Sequence, residues 1–597
     1  MLWSNNDQND NKRAETKKTD KLYSIAVLLE ELKSEDLHIR LCSIQKISVI
    51  ALAVGHVRTR TELIPFLSEI TDEEDEITLV LAEELGKFVD FVGGNEYSHT
   101  ILPPLTKLAR AEETVVREKS VESIKIISKA MDKNQIQTYL FPVIKDLANG
   151  KWFSSRSSAC GLFSICYKSV DKSSKEELLL LFRELCNDKT PMVRREAAKE
   201  LAELAPIVEE ENLKKIIIPL LIQLSEDEQD SVRILTIDNC ISVSKLINKD
   251  EFITYIIPTL QNCAADRSWR VRHLVANKFY QVSESVDPEI VKENLLEIFI
   301  DLLSDNEEEV RVSGTARISD FSKQIKEYQE TISDVIFPII EQLSQDSSKK
   351  VKVSLASVIT LMAPIIGNQM SIEKLIPICL DLLQQDISEV KLSIISKLES
   401  LSKVVSEEIL INTLLPVLID LIKDPKWRVR CAVVDYIPKL GIQLGVDFFN
   451  EKIIELYITW LQDAIFKIRE TAAKNLIQLT KEFGSDWCTY NLLPHIFKLL
   501  KNPNYKIKQI AMYSLSLLAP ELEIDIISDK MIPKLTVLQN NKTPNVKLYL
   551  AKCLHELIPY TEETNIQEEI IPCLTDLLND DDQDVSTFAK IALDEIN

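Results

Sequence analysis

A basic residue returns along this chain at a nearly fixed interval. It occupies Arg40, Arg117, Arg156, Arg194, Arg233, Arg272, Arg311, Lys352, Lys391, Arg430, Arg469, Lys508 and Lys547. With Thr78 and Ser586 counted as uncharged equivalents, nearly every step is 39 residues; one, from Arg311 to Lys352, is 41. The segments leading up to it match: IIPLLIQLSEDEQDSVR ends at Arg233, IIPTLQNCAADRSWRVR at Arg272 and LLPVLIDLIKDPKWRVR at Arg430. Pro65, Pro104, Pro142, Pro219, Pro258, Pro338, Pro377, Pro416, Pro494, Pro533 and Pro572 keep the same phase. A fixed period of this length defines a repeat architecture, and 597 residues exceed what one compact core accommodates. The expectation is a single array of fifteen repeats over residues 21–597, preceded by a polar, disordered tail at 1–20.

Each repeat reads as two helices. In the stretch around Trp427 the first helix ends near Ile422, and Asp424-Pro425 makes the turn, because the residue before proline avoids helical backbone. The second helix then shows Val429, Ala432, Val433, Tyr436, Ile437 and Leu440 on one face. An isolated pair of helices cannot bury both stripes, whereas stacked neighbours can. The fold expected is therefore all-α, a curved two-layer superhelix of two-helix repeats. Eleven glycines and 6% aromatic residues agree with long runs of helix. The proline, recurring within the first helix, is expected to bend it by removing one backbone donor.

Six residues before the basic position stands an acid: Asp188, Asp227, Asp266, Asp305, Asp346, Asp424 and Asp463, with Asn502 and Asn541 taking its place later. Two compatible roles are open. It forms or caps the turn, or it meets a basic residue of the neighbouring repeat and so builds a ladder along the stack.

Charge and motif content exclude several functions. A net charge of −23 argues against general nucleic-acid binding, which needs clustered cations. No nucleotide-binding, metalloprotease or hydrolase motif is present, and the six histidines stand apart from one another. No enzyme activity, cofactor or metal is therefore expected. Eleven scattered cysteines with no C-x-x-C pair read as reduced core residues, consistent with a cytoplasmic and nuclear location. No window approaches 18 uncharged apolar residues, so no membrane span is expected.

The remaining signal is aromatic. Three residues before the basic position, the chain carries Trp269, Trp427, Phe466 and Tyr505, the last three 39 apart; Trp152 lies one place off this phase, and Met192 is the matching kind of residue in DKTPMVRR. Elsewhere this position is polar, as at Asp230 and Glu308, and Glu389 lies beside it, so packing does not demand a ring there. Rings flanked by Arg270, Lys426, Arg428, Lys467 and Lys506 have the character of interface hot spots. Their two groups suggest two protein partners.

The 39-residue pair of helices with proline in the first and D-x5-R or D-x5-K at the turn is similar to the HEAT repeat. ALAVGHVRTRTELIPFL, KWFSSRSSACGLFS, TPMVRR, SWRVR, KWRVR, QLGVDFF and NPNY, in this order, make the chain resemble the scaffold (structural A) subunit family of type 2A serine/threonine protein phosphatase. That resemblance implies a non-catalytic scaffold. Its C-terminal repeats would hold a phosphatase catalytic subunit through Lys426, Trp427, Arg428, Phe466, Lys467 and Tyr505. Its N-terminal repeats would hold interchangeable regulatory B-type subunits through Glu112, Glu113, Trp152, Pro191, Met192, Arg195, Ser268, Trp269 and Arg270. Lys189 stands where the family pattern has an acid, and Phe466 where it has tyrosine. The alternative weighed is a nuclear transport receptor, also an acidic HEAT solenoid, expected to be longer and less regular.

Overall fold

The computed structural model describes residues 31–32, 34–72 and 74–596; the polar stretch at 1–20 lies outside them. All regular structure among the described residues is helical. The chain falls into two compact units, Met1–Arg317 and Ile318–Asn597.

The repeat ending in the helix Trp269–Ser283 shows the design. A capping box of Asn248 and Glu251 opens its first helix, satisfying two orphan backbone donors. That helix runs through a widened turn at Phe252–Ile256 into Ile257–Ala264. The second helix, Trp269–Ser283, buries Val271, Val275, Ala276, Phe279 and Val282. The stripe facing Ile257, Leu260 and Cys263 has the helical spacing that lets one face be covered. In the other compact unit the second helices stack in order: Phe466–Phe483 packs between Trp427–Leu444 and Tyr505–Leu518.

The proline does not act as the sequence suggests. Pro258 sits just past the widened turn, in which the Ile257 N–H reaches back five residues to the Phe252 carbonyl. Such a turn spares the pyrrolidine ring its clash with the preceding carbonyls. Yet the same widened turn occurs at Val291–Leu295 and Phe449–Ile453, where no proline follows. Among the described first helices, only Lys172–Cys186, also without proline, runs straight through as one regular helix. Proline therefore occupies a pre-existing irregularity rather than creating the bend.

Gly445 and Gly484 close successive second helices with φ of 90° and 94° and ψ of 164° and 162°. Only glycine adopts this backbone without strain. Gly367, at φ 76° and ψ −176°, likewise interrupts the run 349–384, which, against the expectation from the sequence, is long and apolar enough to cross a membrane, with half of its apolar window buried inside the fold.

Candidate protein-docking ridge and grooves

The turn between the two helices of a repeat is built from its aspartate. Asp227 Oδ1 accepts from the Gln229 N–H at 2.9 Å, Asp266 from Ser268 at 2.7 Å and Asp424 from Lys426 at 2.8 Å. The basic residue six places on folds back over the turn: Arg233 Nη1 donates to the Asp227 carbonyl at 2.7 Å. Its other edge reaches the next repeat, with Nε on Asp266 Oδ2 at 2.6 Å and Nη2 on Oδ1 at 2.8 Å. The pattern recurs at Arg156–Asp188, Arg194–Asp227 and Arg272–Asp305. In the second compact unit it recurs at Lys391–Asp424, Arg430–Asp463 and Lys547–Asp580. Both roles open for the acid in the sequence are thus filled at once: it forms the turn and receives a rung of the ladder. Burial alone would raise the carboxyl of Asp266, but the Arg233 guanidinium and the Ser268 N–H more than offset it and hold it below the usual aspartate range.

Because the turn is pinned, the residue after it is presented outward as the first of the second helix. Trp427, Phe466 and Tyr505 each begin such a helix, Trp427–Leu444, Phe466–Phe483 and Tyr505–Leu518. They are 37%, 59% and 37% exposed, so the rings are available to a partner. Each carries a cation: Arg428 lies 5.3 Å from the Trp427 ring centre, Arg469 5.7 Å from Phe466 and Lys506 5.9 Å from Tyr505. Lys426 and Lys467 are exposed beside them. Trp427, Arg428 and Lys467 also line one open groove of about 350 Å³ with Cys431, Asp435 and Thr471.

In the first compact unit Trp152 is 77% exposed, Met192 49% and Trp269 39%. Trp152 precedes the helix Phe153–Cys160, Pro191 opens Pro191–Leu204, and Arg195 lies exposed with Glu196 at 3.1 Å. Glu112 and Glu113 are exposed ahead of Thr114–Ser128. Ser268 donates through Oγ to Asp230 at 2.9 Å, and Arg270 lies 5.5 Å from the Trp269 ring centre. Met192 and Arg195 share a groove of about 520 Å³ with Glu118, Glu196, Glu200 and Glu203. Trp269 and Arg270 lie on a different turn and do not line it.

One set of residues escaped the sequence reading. Arg469 is only 5% exposed, and its Nη1 donates to the carbonyls of Asp463 and Ala464. The next repeat offers Asn502 instead of an acid, and Nε of Arg469 is left without a partner. Burial lowers this guanidinium's proton affinity. A groove of about 300 Å³ opens there, lined by Phe466, Arg469, Lys506, Tyr513, Tyr549 and Lys552, with Glu470 and Glu556 among the others. The signal available beforehand was the Asp-to-Asn change at 502 and 541.

Comparison with known proteins follows this geometry. A family model described as PPP2R1A-like HEAT repeat matches residues 288–367. Another, described as PIK3R4-like, middle domain, matches 178–285 and 368–538. The chain is an all-α HEAT-repeat solenoid protein.

Its curated homologues at about 50% identity are 65 kDa regulatory subunits A of serine/threonine-protein phosphatase 2A. The human beta isoform is 50% identical over 359 residues, 60% of this chain and 60% of the relative. A Dictyostelium discoideum protein named protein phosphatase 2A scaffold subunit is 46% identical over 203 residues, 34% of this chain and 35% of the relative. The matched stretches thus span less than two thirds of these relatives. Among solved structures, Kap121p superposes with a TM-score of 0.59 at 16% identity, over 90% of this chain and 57% of that one, a likeness of fold alone.

Proposed function

We propose that the chain is a non-catalytic scaffold that holds a serine/threonine phosphatase catalytic subunit together with an interchangeable regulatory subunit. The observation that carries this reading is the row of exposed, cation-backed rings Trp427, Phe466 and Tyr505 at successive helix starts. Aromatic and arginine residues at the centre of a contact carry most binding energy. The homologues, named as phosphatase regulatory or scaffold subunits, supply the identity of the partner. Trp152, Met192 and Trp269 in the first compact unit would take the regulatory subunit. Two partners held on one chain meet at a raised effective concentration, which is how a protein without its own reaction centre directs dephosphorylation. The same reading places the chain in the cytoplasm and nucleus, supported by free thiols such as Cys160, Cys186 and Cys240, which are enclosed in helix packing.

The test is capture from lysate by the purified chain. Wild type is expected to retain serine/threonine phosphatase activity, and a Trp427→Ala, Arg428→Ala variant to lose it. Retention of a small GTPase in its GTP form, with no phosphatase, would overturn the reading.

A further inference from the structure

We infer that the groove between the helices Phe466–Phe483, Tyr505–Leu518 and Pro544–Leu557 is a docking site for an acidic, aromatic-bearing peptide segment of a partner protein. The juxtaposition that carries this is an incomplete ladder rung under a basic, ring-lined groove. At Arg156, Arg194, Arg233 and Arg272 the ladder arginine spends Nε on the carboxylate of the next repeat. Arg469 is equally buried and its Nε has no partner. A guanidinium withdrawn from water with one N–H unpaired favours an anion brought to its vicinity.

The charge around it has the same sign. The three helices carry eight lysine or arginine residues against three glutamates, within a chain of net charge −23. Glu470, on the groove wall, is held by Lys467 at 3.0 Å and Lys474 at 2.6 Å, neither of which lines the groove. Its charge is therefore largely taken up from outside. Lys506 and Lys552 remain facing the cavity beside Phe466, Tyr513 and Tyr549. Lys552 itself lies 4.2 Å from the ring centre of Phe588 and 5.6 Å from that of Tyr549. Cations interleaved with rings fit carboxylates alternating with aromatic side chains, each ring adding apolar contact between the ionic ones. The groove in the first compact unit is the contrast: there Glu118, Glu122, Glu196, Glu200 and Glu203 offset the cations. The inference goes beyond the scaffold reading, since its assay contains only this chain and does not depend on phosphatase capture.

The experiment is fluorescence anisotropy of the full chain, at about 0.15 M salt, with a labelled decapeptide alternating glutamate and phenylalanine. Two controls have equal charge: a glutamate–serine decapeptide and a short oligothymidylate. Saturable binding of the first probe is expected, with Lys506→Glu, Lys552→Glu weakening it at least about tenfold. Asn502→Asp supplies the missing acid to Arg469; it is expected to weaken binding severalfold while raising the melting temperature, an outcome that misfolding cannot imitate. Unchanged affinity in both variants would overturn the inference. Equal or tighter binding of either control would do so as well, leaving plain electrostatic attraction or a nucleic-acid site.

Discussion

Arg233 and Asp266, 33 residues apart, meet as a two-pronged ion pair with both side chains less than a tenth exposed. Removing one partner strands the other in the interior. Asp266→Ala is expected to cost about 3 kcal/mol. Because stacked repeats touch mainly their neighbours, hydrogen exchange should rise around 257–283 and leave distant repeats protected. Uniform loss of protection along the chain would contradict this.

Acid should loosen the ladder. Asp188, Asp227, Asp266 and Asp424 are all pushed up by burial and pulled down further by their paired cations and turn N–H groups, so each ends below the usual aspartate value of 3.8. A carboxylate depressed in the folded state stabilises the fold above its unfolded value and loses that contribution as pH falls through its folded value. Stability to urea should therefore be level through the neutral range and decline below pH 3.8. The Asp266→Ala variant should decline less steeply than wild type.

Trp427 is 37% exposed and begins a helix rather than filling a core. On the proposed scaffold function, Trp427→Ala should lower affinity for a phosphatase catalytic subunit by about 2 kcal/mol or more, roughly thirtyfold. Its melting temperature should change little. Titration calorimetry and thermal melting together separate these two effects.

Gly445 has open space where a Cβ would go, but its φ is 90°. Gly445→Ala should therefore cost backbone strain alone, on the order of 1–2 kcal/mol. Chemical denaturation would show it, and Gly484→Ala should behave alike because its backbone is the same.

Much of this molecule is legible in one dimension because its contacts repeat. When each repeat meets only its neighbours, one spacing sets the helix pair, the turn and the ladder together. Asp227, Asp266 and Arg233 could be paired by counting, and the outward rings could be named because Asp230 and Glu308 show the position tolerates water. Other features did not follow from the count. The widened turn before Pro258 looks like a proline effect until Val291–Leu295 shows it without proline.

The sequence by itself determined the period, the all-α repeat and the ring positions, because each rests on residues at fixed separations along one chain. Only the tertiary structure decided that Arg469 lacks an acid at its Nε and that Phe466, Lys506, Tyr549 and Lys552 enclose one groove. Those facts depend on which side chains of the second helices of three successive repeats converge and which atoms are withdrawn from water. A linear pattern does not contain that geometry.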